Sequence, residues 1–112
     1  MARVNLPVQP VVRTGLNPSL TAADDVENHV FDNDGRVFLY VVNGLVDVDV
    51  TVVSGFTRLG LALADVTVNV PANHSRLIGP FPKDVFDQTG TGKVHVNIDD
   101  DSNVTLAAIS LP

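Results

Sequence analysis

Cysteine and tryptophan are absent from this 112-residue chain, and methionine and tyrosine occur once each. Without cysteine there is no disulfide framework, no thiolate nucleophile and no thiolate metal ligand. A β-domain that folds without disulfides fits assembly in a reducing cytosol. Basic side chains are also scarce. Seven Lys and Arg face 13 Asp and Glu, for a formal charge of −6. Broad nucleic-acid binding needs a basic surface that releases counterions, so the charge argues against that class. No run approaches the roughly 18 apolar residues of a membrane span. The opening MARVNLPVQP lacks the apolar core of about 7–15 residues that marks a signal peptide, so none is expected. With one Tyr and five Phe, exposed aromatic platforms for sugars are not favoured.

What is present is valine, 21 times, within a 45% hydrophobic composition. Branching at Cβ stiffens χ1 and suits a pleated strand. VDVDVTVVS (46–54) alternates strictly, placing Val46, Val48, Val50 and Val52 on one face and the acids in water. DVTVNV (65–70) repeats the pattern with Val66, Val68 and Val70. KVHVNI (93–98) repeats it with Val94, Val96 and Ile98. VFLYVVN (37–43) is apolar on both faces, as in a strand covered on both sides. VTLAAISL (104–111) closes the series. The acidic DDDSN between the last two strands reads as the turn of a hairpin. Seven to eight short strands at regular spacing predict an all-β, antiparallel β-sandwich, jelly-roll or immunoglobulin-like, because one sheet alone cannot bury these valine faces.

Residues 1–25 read differently. Three prolines and the Asn17-Pro18 turn signal predict an extended N-terminal arm with at most a short strand from Val11 to Leu16. The body is expected over 26–112. Residues 1–23 contain Arg3 and Arg13 and none of the acids. A slightly cationic arm on an acidic body suits an acidic neighbour, although chance gives the same pattern. AADDVENH (22–29) supports no more than a helical turn. Asn33-Asp34-Gly35 is a tight-turn signature.

SRLIGPFP (75–82) is the sharpest break in the β pattern. Pro80 and Pro82 have no N–H to give a ladder, so the strand from Ser75 must end at Ile78. Phe81, held between two prolines, either caps one end of the core or anchors in a partner's pocket.

Chemistry-bearing constellations are weak. His29, His74 and His95 have no metal-ligand spacing. Asp99, Asp100 and Asp101 could hold a hard cation only with help from other loops. No serine lies in a G-x-S-x-G setting, and TGTGK (89–93) has the wrong spacing for a phosphate loop. Neither a catalytic residue nor a cofactor or metal site is predicted.

NDGRVFLYVVNG (33–44), VTVNVPANHSRLIGPFP (66–82) and GKVHVNI…VTLAAISL, in that order, resemble small structural proteins of tailed double-stranded DNA bacteriophages. Within that group the likeness is to capsid decoration, or cement, proteins. It covers roughly residues 31–111. It implies a non-enzymatic virion protein, assembled in the bacterial host cytoplasm, that binds the major capsid protein on the outer capsid surface. A homo-oligomer is implied, a trimer by preference, with no nucleic-acid or membrane partner. The alternative is a phage tail or surface module that recognises host glycan or protein. Arg3, Leu6, Pro7, Pro10 and Arg13 of the arm, with Phe81, are the expected partner interface. The strand Val37–Val42 is a second candidate for packing between copies.

Overall fold

A computed structural model describes residues 3–55, 57–58, 61–62, 65–88, 92–100 and 102–111. Two sheets pack face to face, with the predicted valines between them. Seven strands of four or more residues form the body: β4 (His29–Asp32), β5 (Val37–Asn43), β6 (Val48–Val53), β9 (Val66–Val70), β10 (Ser75–Ile78), β11 (Lys93–Ile98) and β12 (Val104–Ser110). Shorter strands are β1 (Val4–Asn5), β2 (Val8–Pro10), β3 (Thr21–Ala22), β7 (Thr57–Arg58) and β8 (Leu61–Ala62). One sheet runs β1-β4-β11-β6-β9 and the other β10-β5-β12-β2, with β3 also pairing β12. β7 and β8 pair separately.

Period-two alternation sets the core. Val48, Val50 and Val52 of β6 face Val94 and Val96 of β11 and Phe31 of β4, all fully buried. From the opposite sheet, Leu39, Val41, Leu106 and Ala108 meet them. Their polar neighbours Asp49, Thr67 and Asn69 sit on the outer face of the first sheet. The pattern fades at its ends: Val46 and Val66 are exposed.

Three local expectations are corrected. β11 and β12 do not form a hairpin. They belong to different sheets, so the chain crosses the sandwich between Ile98 and Val104. β12 is instead the central partner of β5 along its whole length, Val104↔Asn43 to Ser110↔Val37. No strand spans Val11–Leu16; the arm pairs earlier, through β1 and β2. Both pairings are parallel, β1 to β4 and β2 to β12, so each sheet is mixed rather than purely antiparallel.

The arm therefore closes one side of the sandwich instead of reaching outward. β1 covers the edge of the first sheet, and the chain then crosses to cover the edge of the second. Leu6 sits at the crossing, 1% exposed, with its N–H on Val30 O at 2.8 Å. The following loop is held by Gln9, whose amide donates to Ser19 O at 2.9 Å and accepts from Ser19 N–H at 2.8 Å. β3 then returns antiparallel to β12. Pairing with its own body satisfies the arm's backbone groups, which an extended segment cannot leave unmade when buried.

At 22–29 the chain forms turns rather than a helix. Asp24 Oδ1 accepts from Val26 and Glu27 N–H, both at 2.9 Å, which pulls its carboxyl below the usual range. The opposite side of the sandwich ends in β9 and β10, each the terminal strand of its sheet.

Candidate functional site

The two most distinctive sequence stretches, NDGR and IGPFP, meet in space. Asn33 is 6% exposed and its side chain is fully used. Nδ2 donates to Phe81 O at 2.9 Å and to Asp87 Oδ1 at 2.7 Å, while Oδ1 accepts from Gly35 N–H at 2.9 Å. Lys83 Nζ donates to Asn33 O and to Asp87 Oδ2, both at 2.7 Å. Gly35 adopts φ 90°, which the tight turn requires and which side chains resist.

This lock fixes the segment after β10. Its single helical turn, α1 (Lys83–Phe86), places Lys83 and Asp87 one turn apart as an ion pair. Gly55, at the end of β6, donates to Val85 O at 2.8 Å. A Cβ on Gly55 would lie 1.9 Å from Asp87 O, so no larger residue fits there. Phe81 points inward, 2% exposed. Its ring lies 5.8 Å from that of Phe31 and 5.4 Å, edge-on, from that of Phe86. Three rings thus cap one end of the core, and Asn33 holds the carbonyl of the middle one.

Of the six expected interface residues, two are interior. Leu6 and Phe81 contribute to the core and present nothing to a partner. Their burial follows from size: a large apolar side chain at a sandwich end gains more by filling it than by facing water. Arg3 is half-buried and engaged, its Nη1 donating to Asn97 Oδ1 at 2.8 Å and to the carbonyls of Val96 and His29. Pro7, Pro10 and Arg13 remain exposed along one side. The strand Val37–Val42 lies centrally in its sheet. Val37, Leu39 and Val41 point inward, and Phe38, Tyr40 and Val42 are half-buried on the outer face.

The histidines are not brought together. His29 is inward-facing and fully buried; Nε2 accepts from Asp24 N–H at 3.0 Å. Burial pushes its pKa down, with the Arg3 charge adding and Asp24 opposing. His95 faces outward on the neighbouring strand, and His74 caps a turn through Ala72 O at 2.8 Å. Among the described residues no three His, Asp or Glu side chains are grouped to hold a metal ion. Asp101 lies outside the described residues, as does most of TGTGK. Asp99 accepts from Asp49 N–H and so ties the end of β11 to β6, while Asp100 accepts from Ser102 N–H within the turn.

The two outer faces differ in chemistry. On the first sheet, Asp49, Thr51, Thr67, Asn97, Ile98 and Asp99 line a shallow groove of about 280 Å³ that carries carboxylate, amide and hydroxyl groups. Thr51 and Thr67 hydroxyls lie 3.2 Å apart across the strands, and Asn69 donates to Asp49 at 2.9 Å. On the second sheet, Pro18, Tyr40, Leu77 and Ile109 line an apolar groove of about 330 Å³. Leu77 is 66% exposed. The sequence reading missed this groove. Pro18 reaches it only because the arm loop folds across the sheet, which no local pattern signals. Comparison with protein-family models, with curated proteins and with solved structures finds no match to this chain.

Proposed function

We propose that this chain is a non-enzymatic structural protein that decorates and stabilises a bacteriophage capsid. It binds the shell of the major capsid protein on its outer surface, as a homo-oligomer with a trimer favoured. The observation that carries the reading is the Asn33–Phe81 bond. It joins two of the three stretches on which the resemblance rests into one structural feature, a locked end of the sandwich. A cement protein needs such a body, and many weak contacts across a shell then act together. Pro7, Pro10 and Arg13 are the arm residues left available for the shell. Leu6 and Phe81 are withdrawn from that role.

A second reading is a phage tail module that recognises host glycan. The side chains of Asp49, Thr51, Thr67, Asn97 and Asp99 along the first-sheet groove favour it, since carboxylate, amide and hydroxyl groups pair with sugar hydroxyls. Microscopy of particles assembled with and without this protein separates the two. Regular extra density over the head supports decoration, and Arg13→Glu then reduces occupancy. Density confined to the tail, or none on the particle, overturns decoration.

A further inference from the structure

We propose that the edge of β10 with which no described residue pairs is a strand-addition site for an extended partner segment that carries an acidic residue next to an apolar one. This goes beyond the capsid reading and does not depend on it.

The backbone at the edge gives the first argument. Asn43 N–H donates to His74 O at 3.0 Å, and β10 pairs with β5 in continuation of that bond, Ser75↔Val42 to Ile78↔Leu39. In an antiparallel ladder hydrogen-bonded and non-bonded pairs alternate. Arg76 and Ile78 therefore face β5, and the N–H and C=O groups of Ser75 and Leu77 point away from it. β10 is the terminal strand, and Ser75, Arg76 and Leu77 are all exposed. The arm covers the other edge of this sheet, but nothing among the described residues pairs with this one. Such a row of groups is a template for another strand.

The side chains then select the occupant. Leu77 stands on the outer face beside Tyr40, Pro18 and Ile109, so a partner residue opposite Leu77 extends an apolar surface. Arg76 points to the other face of the strand. Its one described polar contact is Nη1 to Ser75 O at 2.9 Å, which shields an outward carbonyl of its own edge. A second copy of this chain is a poor occupant. The register in which Ser75 and Leu77 of both copies exchange their bonds sets Arg76 directly opposite Arg76, and opposed like charges are destabilising. An edge charge of this kind guards against self-pairing. An acid in the partner removes the guard by drawing the guanidinium off the carbonyl and pairing with it.

The test uses the full-length protein and the synthetic heptapeptide Thr-Thr-Val-Glu-Val-Thr-Thr, followed by backbone amide NMR. The proposal expects saturable shifts centred on Ser75, Leu77 and Tyr40 with millimolar affinity, as a short edge allows. The same peptide with Lys for Glu binds roughly threefold or more weakly. Arg76→Glu, an exposed change whose fold is checked by circular dichroism, reverses that preference. The proposal is overturned by shifts located elsewhere, by no shift at about 5 mM peptide, or by equal binding of the Glu and Lys peptides. It is also overturned if protection of the Ser75 and Leu77 amides rises with protein concentration alone, since the edge would then pair with itself.

Discussion

Replacing Leu6 by Ala tests whether the arm is part of the body. Leu6 is 1% exposed at the point where the arm crosses from one sheet to the other. The change removes three buried carbons, which is about 2.4 kcal/mol of transfer free energy at about 0.8 kcal/mol per methylene. The cavity left behind adds to this, up to the roughly 5 kcal/mol seen in tightly walled cores. β1 is only two residues long and can settle inward, so the lower end applies, near 3 kcal/mol in total. That is a large share of the roughly 5–15 kcal/mol by which such domains are stable. With a urea dependence of about 1.5 kcal/mol per molar, the unfolding midpoint drops by roughly 2 M. Leu45→Ala serves as the control, because Leu45 is 61% exposed and its loss costs within about 0.5 kcal/mol. Paired urea titrations read both. A Leu6→Ala loss below about 1 kcal/mol, or one equal to the control, refutes the integrated arm. On the same argument, deleting residues 1–13 destabilises the body itself, and does not simply trim a free appendage.

Two further perturbations report on other parts of the molecule. Stability falls as pH is lowered from about 7 through the ordinary imidazole pKa near 6.5, because the unfolded chain takes up a proton that buried His29 resists. The decline levels off below the depressed folded value. His29→Gln, which keeps an acceptor for Asp24 N–H, flattens the slope of the urea midpoint against pH; an unchanged slope counts against the assignment. Asn33→Ala leaves Asp87 and the Phe81 carbonyl short of a donor and costs about 2–4 kcal/mol. Amide exchange over 79–88 then accelerates more than exchange in β6, and uniform acceleration would show that the lock is not local.

Strand positions and facing were legible wherever alternation was strict. Val48, Val50 and Val52, and Val94, Val96 and Ile98, are buried as their spacing predicts. The exit at Gly79-Pro80 followed from missing donors, and the core-capping choice for Phe81 is the one the structure makes. What alternation does not encode is which strands pair. β11 and β12 looked like a hairpin because a short polar turn joins them, yet the same turn length can carry the chain from one sheet to the other. The arm misled for a related reason. Prolines predict extended backbone correctly, but they do not say whose sheet edge the extended segment joins. Leu6 was a signal against a wholly external role: a large apolar residue flanked by Val4 and Val8 at every second position gains by going somewhere dry. The Asn33–Asp87–Lys83 lock spans 54 residues of sequence and has no local signature.

β12 lies between β5 on one side and β2 and β3 on the other. During synthesis the second sheet therefore has no middle until residues 104–110 leave the ribosome. Until then Val37, Leu39 and Val41 lack their cross-strand neighbours Ser110, Ala108 and Leu106, and a nascent chain that stalls short of Val104 leaves that edge of β5 unpaired and open to proteolysis. Emergence of β12 thus becomes the event that closes the second sheet, and a chain cut short before it keeps the inner edge of β5 open.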